Sequence, residues 1–402
     1  MKIILIQPTA DKRGHYGIYT VNVCQGLAKL GHEVTLFTNK VYPEKFLKEK
    51  ALFTIIEWRK NAYAFETFDE IKNKNPFLYT WAYLRNSFVV LRAGLRFAKG
   101  KNFDIVQVFD TEYSIASLLF LIYGKSLPII LMVNAPNFAF KEFTGPWIIK
   151  IYKEFQKRIL KKVLGSKICG VNMLGEFHAR EFRKQFDLPP SFPIAIIYDG
   201  ADAPEICLDK ATARAKIGIS HSVTLFLFFG MMRKDKGIEY LLQAVSLLKD
   251  KDFKLLLAGS LFDYKKEDIL KLIDDYGIKD KVITKFDYIS DRDVHDYFFA
   301  SDALILPYIS LYRGGSGPLL KEAAVCKVPA IVSDVSEMGP LVKKYNMGFV
   351  AEPENALSLS EAIKKFLQLS DKERDILGEN AFKVANTWSK MAKDYEKFYE
   401  EL

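Results

Sequence analysis

The sequence predicts two doubly wound α/β domains, because the same strand–loop–helix–strand pattern occurs in each half of the chain. In the first half, strand 2–7 leads through a glycine loop at 14–17 into a helix, and strand 33–38 follows. In the second half, strand 223–229, the loop GMMRKDKG, a helix and strand 253–258 repeat this order. The alternation indicates parallel sheets with crossover helices. The length of 402 residues is sufficient for two such domains.

Further short strands complete the two predicted sheets. They lie at 105–108, 129–133, 168–171, 194–197, 282–284, 303–306 and 330–333. We place an N-terminal domain at 1–200 and a C-terminal domain at 201–385, with a hinge near 200–208. We expect the aromatic-rich final helix, about 386–402, to pack back on the first domain. In such sheets, ligands bind beyond the carboxyl ends of the strands.

Composition indicates an ordinary folded protein, with 49% hydrophobic and 27% charged residues. The chain opens directly on a strand without a signal peptide, and its apolar runs are too short to span a bilayer. We therefore expect a cytoplasmic protein, either soluble or peripheral on the membrane. The cysteines show no paired spacing, which indicates free thiols in a reducing compartment; they are Cys24, Cys169, Cys207 and Cys326.

Two segments hold much of the positive charge that gives the chain its net +9. Segment 77–101 has five basic and no acidic residues among many aromatic ones, and segment 147–164 has six basic residues against Glu154. Two interpretations remain open. The segments are basic amphipathic helices that lie on an anionic membrane surface, or they pack their apolar faces inward and expose solvated lysines. We expect no nucleic-acid partner, because no RRM, KH, zinc-finger or helix-turn-helix signature is present.

Loops at the ends of two predicted strands favour a phosphate ligand. Strand 303–306 is followed by a glycine-rich loop at 314–317 and by a helix that opens with Pro318. Such a helix start presents backbone N–H groups and a partial positive charge. In the other loop, Arg233 and Lys236 can neutralise a diphosphate, although solvated loop cations are also common.

One acidic residue of the second domain lies in an unusual position. Glu322 is one turn into the helix that begins at Pro318, among leucine, alanine and valine. A carboxylate in such an apolar helix should face a polar cleft, because its unpaired burial would be very unfavourable. A partly exposed helical glutamate is the simpler alternative.

Several common catalytic motifs are absent. The glycine loop at 14–17 is not a GxGxxG fingerprint and no acidic residue ends strand 33–38, which counts against an NAD enzyme. No Walker lysine, GxSxG elbow or Cys/His metal spacing occurs. Asp291 and Asp293 have DxD spacing but do not form a convincing metal site. We expect no cofactor and no metal.

A series of segments occurs in a characteristic order along nearly the whole chain. After the N-terminal strand and its glycine loop come GHEVTLFT, FDIVQVFD, IYDGAD, FFGMMRKDKGIEYLLQAV, LLLAGS, FDYISDRDVHDYFFASDALILPY and GGSGPLLKEAAVCKVPAIVSD. Together they resemble the GT-B glycosyltransferases of family 4. The resemblance implies two Rossmann-like domains that face each other across a cleft. It also implies metal-independent transfer of a sugar, with retention of anomeric configuration, from a nucleotide-sugar donor.

The resemblance also implies roles for individual residues. Arg233 and Lys236 correspond to the pair that grips the donor diphosphate, and Glu322 to the second glutamate of the E-x7-E motif, which holds the ribose. Asn134 is a catalytic candidate near the donor sugar, and His15 and Tyr16 are candidates on the acceptor side. The remaining implied donor contacts are Gly17, Gly230, Tyr288, Ile289, Gly315, Ser316, Gly317, Pro318 and Leu319, with Tyr288 and Ile289 in a base-binding turn at 287–290.

Two positions depart from the family pattern. Gly314 stands where the first glutamate of the motif would be, and Asn134 stands where many members have histidine. Asparagine can hydrogen-bond a sugar hydroxyl but cannot act as a base. We expect a hexosyltransferase that acts on a glycan, a lipid-linked or another hydroxyl acceptor. The alternatives are an inactive member that binds a nucleotide sugar or serves as a partner subunit, and a GT-B epimerase or hydrolase.

Overall fold

The computed structural model of the chain describes residues 1–11, 15–40, 49–58, 76–109, 113–124, 127–133, 147–219, 223–290, 292–310 and 318–402. The chain divides into two compact units. The N-terminal unit is formed by Met1–Tyr198 together with Trp388–Leu402, and the C-terminal unit by Asp199–Thr387. No helix within the described ranges is both long and apolar enough to cross a membrane.

The N-terminal unit is built on a parallel sheet with the strand order β3-β2-β1-β4-β5-β6-β7. Its strands are β1 (Lys2–Gln7), β2 (Glu33–Thr38), β3 (Thr54–Glu57), β4 (Ile105–Val108), β5 (Ile129–Val133), β6 (Ile168–Met173) and β7 (Ile194–Ile196). Its helices are α1 (His15–Lys29), α2 (Pro76–Lys99), α3 (Tyr113–Tyr123), α4 (Trp147–Val163), α5 (Glu176–Phe186) and, at the end of the chain, α14 (Trp388–Glu400).

Helices cover both faces of this sheet because its central strands are apolar on both sides. In β1, Ile3 and Leu5 pack in one core with α1 and α14, whereas Ile4 and Ile6 pack in the other core with α2, α3, α4 and α5. The final helix lies directly on α1, since a Cβ placed on Gly26 would be 2.6 Å from the Cβ of Ala392. The end of the chain is therefore part of the N-terminal core.

The C-terminal unit contains a second parallel sheet with the order β10-β9-β8-β11-β12-β13. Its strands are β8 (Thr224–Phe229), β9 (Phe253–Ala258), β10 (Val282–Lys285), β11 (Ala303–Leu306), β12 (Ala330–Ser333) and β13 (Gly348–Ala351). Its helices are α6 (Lys210–Lys216), α7 (Ile238–Ser246), α8 (Lys266–Asp275), α9 (Val294–Phe299), α10 (Pro318–Val325), α11 (Met338–Tyr345), α12 (Ala356–Leu367) and α13 (Asp371–Lys383). This strand order is that of a doubly wound sheet, and it reverses between β8 and β11.

All the predicted strands are present, and the prediction of two doubly wound α/β sheets is confirmed. Two strands were not predicted, β3 and β13. Each is an edge strand of four residues, and most of its residues are only partly buried. Strands β7 and β10 are also short edge strands and were predicted, so edge position alone does not hide a strand; β3 and β13 simply lack a long apolar run.

Candidate functional site

The candidate site of the C-terminal unit lies where its strand order reverses. Strands β8 and β11 are hydrogen-bonded parallel neighbours. The strand that follows β8 (β9) and the strand that follows β11 (β12) lie toward opposite edges of the sheet. The loop after β8 carries Gly230, Arg233 and Lys236, and the segment after β11 leads to Pro318 at the start of α10. Ligands of doubly wound sheets bind in the crevice at this point, beyond the carboxyl ends of the strands.

Arg233 is held in place by a residue that the sequence did not single out. It precedes a single turn of 3₁₀ helix, Lys234–Lys236, and its Nε donates to Asp235 Oδ1 over 2.9 Å. Its Nη2 donates to the other oxygen of the same carboxylate. The pair is partly exposed, with 38% and 32% of the two side chains accessible. The guanidinium is thus oriented at the surface of the crevice, where an incoming diphosphate would compete with Asp235 for the same donors.

Lys236 lies deeper in the loop. Its Nζ is 3.6 Å from the centroid of the Tyr308 ring, which belongs to the segment after β11. Burial, followed by the positive charge of Arg233, lowers the pKa of Lys236 to about 7, while the carboxylate of Asp235 opposes the shift. The amine is therefore close to half protonated at neutral pH, and an anion bound beside it would favour the charged form.

Glycines allow the backbone of this loop to approach its neighbours closely. Gly237 has φ +66, and a Cβ there would lie 1.9 Å from the carbonyl oxygen of Pro307, immediately after β11. Gly259, at the end of β9, has φ +133, and its Cβ would lie 2.1 Å from the carbonyl oxygen of Gly230. Both positions require glycine because of the conformation and the lack of space. The segments that follow β8, β9 and β11 are consequently packed tightly against one another, and we call them the floor of the site.

Helix α10 begins at Pro318, as predicted. Its start lies against the loop after β8, since a Cβ placed on Gly230 would be 3.4 Å from Leu319 Cδ1. Glu322 is one-quarter exposed, and its Oε2 lies 3.2 Å from His295 Nε2 on α9. The residues around it, Leu320, Ala323 and Ala324, are buried. The carboxylate of Glu322 is therefore the polar group at the surface of an otherwise apolar stretch of helix.

The next residue toward the N-terminus of α10 is also notable. Lys321 is fully buried, and its Nζ donates to the carbonyl oxygen of Val384 over 3.4 Å. This contact joins α10 to the segment that leads to the last helix of the chain. The contacts of Lys321 and Glu322 were not predictable from the sequence, because both join segments that are distant along the chain.

The predicted base-binding turn follows β10, at the same end of the sheet. Tyr288 is 76% exposed, and Ile289 is half-buried. The turn is closed by Ser290, whose Oγ donates to Asp293 Oδ2 over 2.7 Å, while the amide of Asp293 donates to the carbonyl of Ser290 over 2.9 Å. An exposed tyrosine on a fixed turn offers an aromatic face to a planar ligand.

The remaining predicted residues lie outside the described part of the chain or belong to the N-terminal unit. Asn134, Gly314, Gly315, Ser316 and Gly317 lie outside the described residues, as does Asp291. His15 and Tyr16 belong to the first turn of α1, but their side chains are outside the description. Gly17 is buried in that same turn of the N-terminal unit. Among the described residues, no group of three or more His, Cys, Asp or Glu side chains is arranged to hold a metal ion.

Family comparisons agree with this architecture over most of the chain. Residues 17–204 match the family model described as Glycosyltransferase Family 4, and residues 209–384 match the one described as Glycosyl transferases group 1. The chain belongs to the family 4 type of GT-B glycosyltransferases. The two models meet within a few residues of the division between the units, so each covers most of one unit.

Solved structures show the same fold at low sequence identity. Sucrose-phosphate synthase from Thermosynechococcus elongatus superimposes with a TM-score of 0.75 over 100% of this chain and 98% of that one, at 18% identity. The Anabaena protein HepE in complex with UDP gives a TM-score of 0.72 over the full length of both chains, at 14% identity. These likenesses establish this chain as a GT-B glycosyltransferase fold with two Rossmann-like units.

The matches to curated relatives cover only part of each protein. An uncharacterised glycosyltransferase of Methanocaldococcus jannaschii is 24% identical over 63% of this chain and 61% of its own length. Two further relatives are matched over 48% and 55% of their lengths. The chain thus spans about half to three-fifths of the length of these curated relatives.

Proposed function

We propose that this glycosyltransferase moves a hexose from a nucleotide-sugar donor to a hydroxyl acceptor with retention of anomeric configuration. The observation that carries the proposal is the placement of Arg233, Lys236 and Glu322 around the point where the C-terminal sheet reverses its strand order. A solved relative with the same fold, HepE, holds UDP, which supports a nucleotide ligand for this chain.

In this proposal the two cations stabilise the leaving group. Breaking the bond between the sugar and the diphosphate develops negative charge on the departing nucleotide. The forked guanidinium of Arg233 can bind two phosphate oxygens, and the ammonium of Lys236 adds a point charge beside them. The backbone N–H groups at the start of α10 add a third source of positive potential. Fixed donors of this kind each contribute about 2.7–4 kcal/mol to transition-state stabilisation in other enzymes.

In this proposal, Glu322 binds the ribose of the donor nucleotide and not its phosphates. A carboxylate accepts several hydrogen bonds, so Glu322 can accept from the ribose hydroxyls and still contact His295. His295 thereby positions the carboxylate. The exposed ring of Tyr288 stacks on the nucleotide base, and the backbone of Ile289 forms hydrogen bonds with the edge of the base.

The sugar and acceptor sides of the proposal rest on residues whose positions or side chains lie outside the described structure. Asn134 hydrogen-bonds the donor sugar, and residues 315–317 contact the sugar and the phosphate. The acceptor is a glycan or lipid-linked hydroxyl that approaches His15 and Tyr16. Because cations of the chain neutralise the diphosphate, the proposed reaction needs no metal ion.

A donor panel followed by product analysis tests this proposal. Thermal unfolding of wild type and Glu322→Ala is first measured with UDP-, GDP- and ADP-sugars. The proposal predicts that one nucleotide class raises the melting temperature of wild type but not of the variant. Release of that nucleoside diphosphate is then followed with a panel of glycan and lipid-linked acceptors, and the anomeric configuration of the product is read by NMR.

Each outcome decides between specific alternatives. A product with the configuration of the donor supports a retaining transferase, and an inverted product contradicts it. Donor binding without turnover across the acceptor panel favours the inactive or partner-subunit alternative. The absence of stabilisation by any nucleotide sugar contradicts the proposed donor site itself.

A further inference from the structure

Three of the four helices on one face of the N-terminal sheet contact one another in turn. Helix α3 contacts both α2 and α4. The hydroxyl oxygens of Ser114 on α3 and Tyr152 on α4 are 3.1 Å apart, and the guanidinium of Arg96 on α2 lies 5.9 Å from the centroid of the Tyr123 ring on α3. We call the outer side of α2, α3 and α4 the three-helix face.

Helix α4 exposes the apolar residues of its first half. Trp147, Ile151 and Phe155 are four residues apart, so they form one row along the helix, and they are 72%, 59% and 44% exposed. The buried side of α4 is formed instead by Gln156, Leu160 and Val163. Of the two interpretations left open by the sequence, inward packing of the apolar residues does not describe the first half of α4, where Tyr152 and Phe155 are exposed.

The neighbouring helices extend this apolar surface. On α3, the exposed residues are Leu118, Leu121 and Ile122, of which Ile122 is 67% exposed. On α2, Trp81 and Phe88 are about half exposed, at 49% and 44%. So many exposed large apolar residues on helices that contact one another are uncommon on a protein that has no partner for them.

Positive charge surrounds the apolar residues. Helix α2 carries four basic and no acidic residues, and α4 carries six basic residues and Glu154. Arginines of α2 lie beside exposed rings, with Arg85 5.1 Å from the Trp81 centroid and Arg92 5.8 Å from the Phe88 centroid. On α3, a hydrogen bond from Arg92, followed by one from Arg96, lowers the pKa of the Tyr123 hydroxyl.

The geometry points to an anionic lipid bilayer as the partner of the three-helix face. Exposed tryptophan, phenylalanine and isoleucine insert at the boundary between headgroups and acyl chains, and the surrounding lysines and arginines attract anionic headgroups. Charge complementarity favours a bilayer over a neutral apolar partner, because basic residues surround the apolar row rather than lying apart from it. This inference does not rest on the proposed transfer reaction, and its readout is membrane binding alone.

Vesicle flotation tests the inference with the complete chain. Vesicles of phosphatidylcholine with roughly 30% phosphatidylglycerol should carry the protein upward at low salt, and pure phosphatidylcholine vesicles should not. Combined replacement of Lys150, Lys157 and Lys162 by glutamine should weaken binding on the order of 100-fold, since each basic residue near an anionic surface contributes about 1 kcal/mol. Combined replacement of Trp147, Ile151 and Phe155 by serine should weaken it at least about tenfold.

Matched controls come from the C-terminal unit. Leu247, Leu357 and Ile376 are similarly exposed apolar residues, and their replacement by serine should leave vesicle binding unchanged. The exposed Lys271, Lys279 and Lys365, replaced by glutamine, control for the loss of charge. Melting temperatures verify that all four variants are folded.

Three results would overturn the inference. The first is a wild-type protein that stays at the bottom of the gradient with anionic vesicles at low salt. The second is a control variant that loses as much binding as its counterpart on the three-helix face. The third is a concentration-dependent dimer in sedimentation that the apolar variant abolishes while vesicle binding is unaffected, which would assign the face to a second copy of the chain.

Discussion

The Nζ of Lys236 lies 3.6 Å from the centre of the Tyr308 ring and thereby connects the loops that follow β8 and β11. The face of an aromatic ring favours the charged amine, whereas burial and the nearby Arg233 disfavour it. The resulting pKa of about 7 shows that burial dominates. Without a bound anion, Lys236 is only partly protonated near pH 7, and an anion that binds beside it would favour the protonated form.

The pH dependence of nucleotide binding follows from this pKa. Binding of an anion raises the pKa of Lys236, so the complex holds a proton that the unbound protein releases above pH 7. Affinity is therefore highest where Lys236 is already protonated and falls as the pH rises above 7. We expect the dissociation constant for the bound nucleoside diphosphate to increase about tenfold per pH unit at most over this range. Calorimetry between about pH 7.5 and 9.5 avoids the phosphate ionisation near pH 6.

Two variants of Lys236 serve as controls for this pH dependence. Lys236→Arg keeps its charge throughout the range and should bind with little dependence on pH. Lys236→Gln should bind weakly at every pH. A wild-type affinity that stays constant to pH 9.5 would show that Lys236 does not contact the anion.

Glu322→Gln should separate recognition of the nucleoside from recognition of the phosphates. Loss of the charged acceptor should weaken binding of the nucleoside diphosphate by about 1.5–3 kcal/mol, the usual contribution of a hydrogen bond to a charged group. Binding of inorganic pyrophosphate should be unchanged, because it has no ribose. Glu379→Gln, which removes an exposed carboxylate that accepts from Lys327, is the matched control. Equal losses for both ligands would place Glu322 beside the phosphates instead.

Gly237→Ala tests whether the floor of the site requires the close approach to Pro307. Gly218 has nearly the same backbone conformation, φ +72 against +66, but no atom lies within 4 Å of its Cβ position. Gly218→Ala should therefore lose about 1–2 kcal/mol of stability from the backbone conformation alone. Gly237→Ala should lose clearly more, because its methyl group would overlap the Pro307 carbonyl. Urea unfolding of both variants measures the difference, and equal losses would contradict the packing described here.

Tyr395→Phe tests how the last helix is fixed to the N-terminal sheet. The Tyr395 hydroxyl accepts from Asn172 Nδ2 and lies 2.7 Å from both that atom and the Tyr19 hydroxyl, all buried. Its removal leaves buried polar groups without this partner, at a cost of about 1–3 kcal/mol. Tyr399→Phe removes a single bond of 3.2 Å to Gln107 and should cost less. If chemical unfolding shows the two variants to be equally stable, the network does not hold the helix.

Much of the fold was predictable because its signals are local. Continuous apolar runs such as 129–133 identify buried parallel strands, and Pro318 after a glycine loop identifies the start of α10. The repeated order of elements identifies two doubly wound sheets. Strands β3 and β13 were missed because each has only four residues, most of them partly buried, and lacks a long apolar run.

The candidate site was predictable only in part. Arg233 and Lys236 lie in a loop between a strand and a helix, and Glu322 lies one turn into another helix. Both settings are visible in the sequence. The partners of these side chains, Tyr308 and His295, were not singled out, since which side chains meet there depends on how β8, β10 and β11 lie in the sheet. Asp235 is only two residues from Arg233, but the spacing alone does not show that the guanidinium turns toward it. The outward orientation of Phe155 was also hidden, because helical spacing does not indicate which side of α4 the sheet covers.

The most direct test of the donor site compares three neutralising variants of one loop by calorimetry with UDP, GDP and ADP. Arg233→Gln and Lys236→Gln each remove a cation assigned to the diphosphate, whereas Lys234→Gln removes an exposed cation between them. We predict that one nucleoside diphosphate binds wild type and Lys234→Gln alike and binds each of the other two variants at least about tenfold more weakly. Equal losses in all three variants, or no binding to wild type, would contradict the assignment of this loop to the donor diphosphate.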